Sequence, residues 1–229
     1  MASKKLLVVT SLAALALAGC ETSDDRTLAQ GQACLDSATS ATAAQCKDLV
    51  AGLTSQESYM IRCSADFIAQ DFTGTRIANS ISQMKNGSGT TNGTTSMIAY
   101  LVFKNATPSA DTAISDCTAA GSRSMLRLAT ATKLATTIAT AGGILGSIDP
   151  TSATAATQLQ TVVNNLAASP PSAADLTSLG NTAILANQAY CGDGSSYVGT
   201  DVCNNLSAAV SASSDPQAIA QALLNQMKK

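Results

Sequence analysis

Apolar positions recur along most of this chain at spacings of three and four, the period of a helix with one buried face. The first stripe starts at Thr27 and carries Leu28, Ala29, Ala33 and Leu35. After a Ser/Thr/Ala loop, Thr42 stands where a cap is needed, and Ala43, Cys46, Leu49, Val50 and Leu53 share one face. Ser55 and Ser58 offer starts for a third helix with Tyr59, Ile61, Cys63, Ala65, Phe67 and Ile68. A fourth is predicted over Thr75–Lys85, and Pro108-Ser109 opens a fifth containing Ile114 and Cys117. Met125, Leu128, Ala131, Ala135 and Ile138 mark a longer helix from Ser122 to Ala141, stopped by Gly142-Gly143. Asp149-Pro150 starts the next, which runs to about Ala168 with Leu159, Val162, Val163 and Leu166, before Ser169-Pro170-Pro171. Ser172 caps one ending near Tyr190, and Thr200–Val210 and Asp215–Met227 close the chain, the last with Asp215 as N-cap and Pro216 behind it. The pattern predicts an all-α protein of roughly eight to ten helices packed as helical hairpins.

Two stretches break the rhythm. Asn86–Thr95, "NGSGTTNGTT", holds three glycines among Thr and Asn, and nothing in it anchors a core. Asn-Gly also suits a β-hairpin leading into the strand-like Met97–Phe103, but no partner strand precedes it. A mobile loop is therefore expected, joining two halves of a helical body over 30–229. Leu134–Ile148 carries no charge, yet it is too short to span a bilayer, which takes about 20 apolar residues. It reads as a packed core helix.

The N-terminus follows a different logic. Lys4 and Lys5 precede an apolar run, Leu6–Ala18, followed by Glu21, Asp24, Asp25 and Arg26. A charged start, a short apolar core and small residues before a cut form a secretory signal over 1–19. Leu17-Ala18-Gly19-Cys20 resembles the lipobox of bacterial lipoproteins. That resemblance implies cleavage before Cys20, a diacylglycerol on its sulfur and a lipid anchor in the cell envelope. Two or three acyl chains, at about 0.8 kcal/mol per buried methylene, hold stably where one holds reversibly. Glu21, and not Asp, after the lipid cysteine implies the outer membrane under the enteric sorting rule. Residues 20–29 then read as a short polar tether, which keeps the body close to the membrane.

Removal of 1–19 changes the charge picture. Without Lys4 and Lys5, 11 Lys and Arg face 15 Asp and Glu, a net charge of −4. The only basic cluster left is Lys228-Lys229, so nucleic-acid binding is not expected. The chain has no Trp, three Phe and four Tyr, and much of its 45% apolar content is alanine. Small side chains bury little area each, so close helix packing or covalent staples must compensate. Six cysteines beyond Cys20 provide staples: Cys34, Cys46, Cys63, Cys117, Cys191 and Cys203. An even number in an exported chain suggests disulfides, with free buried thiols as the alternative. Spacing favours 34–46 and 191–203, each twelve apart around a turn-like segment, which leaves 63–117.

Catalytic chemistry is hard to assemble from this composition. The chain has no histidine, which excludes a Ser-His-Asp or Cys-His site and the usual zinc spacings. Glu57, Asp66 and Asp71 lie near apolar residues, but Asp66 and Asp71 are five apart on a helix and read as solvated surface carboxylates. Ser82-Gln83-Met84-Lys85 matches S-x-x-K without a K-T-G, and Ser115-Asp116 is followed by Cys117. Asp193-Gly194 and Asp201 make a partial calcium-like loop that lacks a closing Glu. Asn86, Asn92, Asn105 and Asn205 begin sequons that follow from the abundance of Ser and Thr. Helical hairpins with small residues at packing positions are similar to tetratricopeptide-like lipoproteins, although the Trp-Leu-Gly-Tyr signature of that repeat is missing.

The expected protein is thus a lipid-anchored, non-enzymatic helical module, without cofactor or metal, that binds or organises envelope proteins. The alternative is a small-ligand binder or envelope enzyme using Asp66 and Asp71 in a groove between helices.

Overall fold

Hydrogen-bonding side chains set where many of the helices begin. Ser55 accepts from the Ser58 amide, Ser122 from Met125, Ser172 from Asp175, and Asp215 from Gln217 and Ala218. Each satisfies a backbone donor that has no partner inside its helix. The computed structural model describes residues 22–85, 91–105, 107–192 and 200–228. Among these it forms eleven helices and no strand. They are α1 (Ser23–Ser37), α2 (Ala43–Leu49), α3 (Gln56–Ala69), α4 (Gly74–Lys85), α5 (Gly93–Ala99), α6 (Thr107–Ala119), α7 (Arg123–Ala141), α8 (Ala155–Ala168), α9 (Ala173–Cys191), α10 (Thr200–Ala212) and α11 (Pro216–Met227).

Three local readings are corrected. Ser23–Arg26, expected as part of the polar tether ahead of the stripe that starts at Thr27, forms the first turn of α1. A reciprocal cap between Thr22 and Asp25 satisfies both backbone donors and lets the helix start early. Helix α8 begins at Ala155 rather than at Asp149, because the Asp149 carboxylate accepts from the Thr151 amide and hydroxyl and holds a turn there. Thr91–Thr95 is not a free loop. Asn92 caps α5 by accepting from the Thr94 amide, and Thr94 to Ala99 are all buried. Residues 86–90 lie outside the described residues.

The helices enclose two cores. The smaller holds Cys63, Phe67, Phe103, Ala110, Ala113, Cys117 and Ala129. It lies among α3, α6 and the start of α7, with α1 and α2 packed on α3. All three phenylalanines of the protein meet edge to face here: ring centroids are 5.1 Å apart for Phe67–Phe72, 5.6 Å for Phe67–Phe103 and 5.5 Å for Phe72–Phe103. Two disulfides bound this region, Cys34–Cys46 (Cα–Cα 5.5 Å) and Cys63–Cys117 (4.9 Å).

The larger core is built from α5 and α7–α11 around Ile98, Leu134, Ile138, Leu159, Leu179, Leu206, Leu223 and Leu224. The short helix α5 touches α4, α7, α8 and α10 and acts as its central post. Close approach replaces bulk here: a Cβ on Gly180 of α9 would fall 1.8 Å from the Pro216 carbonyl oxygen at the start of α11. Cys191–Cys203 (5.6 Å) links α9 to α10 at the rim. The chain does not divide at 86–95, because α6 returns to the smaller core after α5 has entered the larger one.

Arg76 of α4 pins the seam between the cores. Its guanidinium is fully enclosed and donates to the carbonyls of Gln70, Asp71, Tyr100 and Val102, while stacking 4.1 Å from the Phe72 ring centroid. Burial lowers its pKa to about 10, so it stays charged at neutral pH.

Candidate functional site: a groove between the first and third helices

Gly31 is buried on α1 and sets how closely that helix sits. A Cβ there would lie 2.8 Å from a Val50 methyl and 3.1 Å from an Ile61 methyl. Cys34–Cys46 ties α1 to α2, and Cys63–Cys117 ties α3 to α6. The turn between α2 and α3 is fixed from inside. Arg62 of α3 donates to the carbonyls of Val50, Ala51 and Leu53 while lying over the Tyr59 ring, and the Ser58 hydroxyl bonds to the Leu53 and Ser55 carbonyls.

This framework leaves an open groove of about 530 Å³, lined by Leu28, Ala29, Gln32, Gln56, Glu57, Met60, Ile61 and Ala120. Through Leu28 and Glu57 it continues into a second, more polar hollow of about 650 Å³, which adds Thr22, Asp24, Asp25 and the 52–55 turn. The N-termini of α1 and α3 both open onto this second hollow, where their dipoles favour the carboxylates of Asp24, Asp25 and Glu57. The Thr22 hydroxyl and backbone amide hold Asp25 below the ordinary carboxylate range. No Lys or Arg is among the described residues lining either hollow. The surface is therefore apolar at one end and acidic at the other.

The carboxylates singled out from the sequence do not converge. Lys47 of α2 reaches Asp66 of α3 at 2.6 Å and Asp116 of α6 at 2.8 Å. The two aspartate side chains are only 12% and 13% exposed. The solvated reading of Asp66 is corrected: it is half of a carboxylate pair sharing one ammonium. Burial raises the Asp66 pKa to about 6, Lys47 pulls it back down and Asp116 pushes it further up. Its Oδ2 is buried without a hydrogen-bond partner. Asp71 is separate, paired with Lys104 at 2.5 Å on the surface, where Lys104 and Ser40 lower its pKa. Neither Asp66 nor Asp71 lines the groove.

The other sequence features fall as follows. Asp116 binds Lys47, not a neighbouring serine. Asn92 and Asn205 serve the fold: the Asn92 side-chain amide donates to the Gln226 carbonyl and that of Asn205 to the Thr94 hydroxyl. Cys20 with the rest of 1–21, the side chains of Gln83, Met84 and Lys85, Asn86, Asp193-Gly194 and the Asp201 side chain lie outside the described residues. Among the described residues no group of His, Cys, Asp and Glu is placed to hold a metal, and no helix is long and apolar enough to cross a membrane.

Sequence reasoning missed Lys47, Arg62, Arg76 and Gly31. Only Gly31 carried a signal, since a glycine inside a helical run often marks a close approach. No protein-family model matches the chain, and no curated protein or solved structure matches it either.

Proposed function

We propose that this protein is a lipid-anchored, non-catalytic component of the bacterial envelope whose helical body binds other envelope proteins. The lipobox-like Leu17-Ala18-Gly19-Cys20 is the basis for the anchor. The observation that carries the binding role is the groove between α1 and α3. It is open and part apolar, and it is held in shape by two disulfides. Shallow apolar concavities of this kind suit protein partners, whereas small-ligand sites are enclosed and lined by converging polar groups. Asp66 is consumed by Lys47 and Asp71 by Lys104, which speaks against the reading as an enzyme or small-ligand binder.

The anchor is tested by labelling with a palmitate analogue. Wild type should incorporate label and fractionate with membranes, and Cys20→Ala should incorporate none and leave the acylated membrane fraction, as the protein or its unprocessed precursor. Label persisting in the mutant would overturn the anchored reading.

A further inference from the structure

The groove's two ends differ in chemistry, and that difference specifies the partner. We infer that the groove docks a cationic amphipathic segment of another protein, with its apolar side chains on Leu28, Met60, Ile61 and Ala120 and its Lys or Arg side chains against Asp24, Asp25 and Glu57. This rests on the protein-binding role proposed above and names the chemistry of the partner.

The apolar end alone would accept many occupants, and the acidic end narrows them. Asp24 and Glu57 are exposed carboxylates one turn or less from Leu28 and Met60 on their respective helices, so one short segment can reach both ends. Asp25 is kept ionised by its bonds to Thr22. Three carboxylates with no cation among the described lining residues favour positive charge and disfavour negative. An anionic lipid headgroup would meet like charge. An acyl chain would leave the acidic end without a partner. A second copy of this chain offers the Lys228-Lys229 cluster, but the helix before it already buries Leu223, Leu224 and Met227 in its own core. A segment in which an apolar stripe and basic residues lie on one helix satisfies both ends, the helix-in-groove mode with charge added.

The test uses the full chain in phosphatidylcholine nanodiscs and two probes. One is a Leu/Lys amphipathic helical peptide; the other has the same leucines with Glu replacing Lys. The Lys peptide should bind at least about tenfold tighter. The preference should shrink strongly at high salt, since exposed charges are screened. It should approach parity in the double variant Asp24→Asn/Glu57→Gln and persist in Asp48→Asn, which removes an exposed carboxylate outside the groove. Equal binding of the two peptides, or a preference that survives the double variant, would overturn the inference.

A photocrosslinker at Gln32 in native membranes separates this idea from the broader one. Adducts to a segment with an apolar stripe and clustered Lys or Arg support it. Adducts to a protein segment lacking basic residues, or to a second copy, sink the partner chemistry while leaving the protein-binding role standing. Adducts to lipid alone sink both.

Discussion

The two cores hold themselves together by different means. The smaller one has the protein's three phenylalanines, two disulfides on its elements and the Lys47–Asp66–Asp116 cluster, and little else of bulk. The larger one has Leu, Ile, Val and Ala from six helices and a glycine that lets two helices touch backbone to backbone. Thr132 and Thr136 are buried on α7 at no polar cost, because each hydroxyl donates to the carbonyl one turn back. Thr136 Oγ also accepts from the Phe103 amide at the seam. With that much burial the larger core carries a single staple, Cys191–Cys203, at its rim. Where alanines and short helices limit burial, cross-links that restrict the unfolded chain do more. The groove is on the stapled side, so its shape depends on covalent bonds that an oxidising compartment maintains.

The strongest way to break the comparison is to cut the seam. Arg76→Leu leaves four carbonyls without their donor and removes the cation from the Phe72 face. A loss of about 4–5 kcal/mol is expected, with thermal unfolding splitting into two transitions. Arg76→Lys should recover little, since one ammonium does not reproduce the fork. A single transition within about 1 kcal/mol of wild type would show that the cores do not depend on this residue.

Next in size is the longer staple. Cys63→Ala/Cys117→Ala opens a loop of 54 residues, for which the chain-entropy relation gives about 4 kcal/mol. Chemical denaturation should show the loss in a probe of the smaller core before one of the larger. Gly180→Ala probes the opposite region. Its Cβ meets backbone, not a yielding side chain, so α9 and α11 must separate, at about 3 kcal/mol. That variant should leave peptide binding at the groove intact, and loss of binding would show that the regions are coupled.

The smallest effect is pH-dependent. Asp66 has a pKa of about 6 when folded, against about 4 in an unfolded chain. Between these values the folded state holds the proton more tightly, so stability falls as pH rises from 4 to 6. Acidifying from pH 7 to pH 5 should therefore stabilise the protein by about 1 kcal/mol. Asp25, Asp71 and Asp149 are shifted downwards, and their contribution is lost only as pH falls through the ordinary carboxylate range and below it. Asp66→Asn should flatten the pH 5–7 change, as read from melting midpoints across that window.

Much of this architecture was legible in the sequence because its causes are local. Ser55, Ser122, Ser172 and Asp215 cap the helices they announce, and Cys34 and Cys46 sit where twelve-residue spacing suggested a closed turn. Gly93–Ala99 was missed because its Gly and Thr favour a loop in isolation. Tertiary burial against α4, α7, α8 and α10 overrides that preference. Asp66 was misread because Lys47 is 19 residues away in sequence and Asp116 arrives on another helix. The groove itself was invisible, since it lies beside the close approach of α1 to Val50 and Ile61 that Gly31 permits and beside the 50–55 turn that Arg62 holds, and no spacing rule encodes either.

The division into a doubly stapled cap that carries the groove and a packed bundle whose one staple, Cys191–Cys203, lies at its rim is tested most directly by hydrogen exchange of the full chain, read segment by segment with and without reductant. Reduction should strip protection from α1, α2, α3 and α6 while α7, α8, α9 and α11 keep theirs. Uniform loss across all helices, or full retention in α1 and α3, would contradict it.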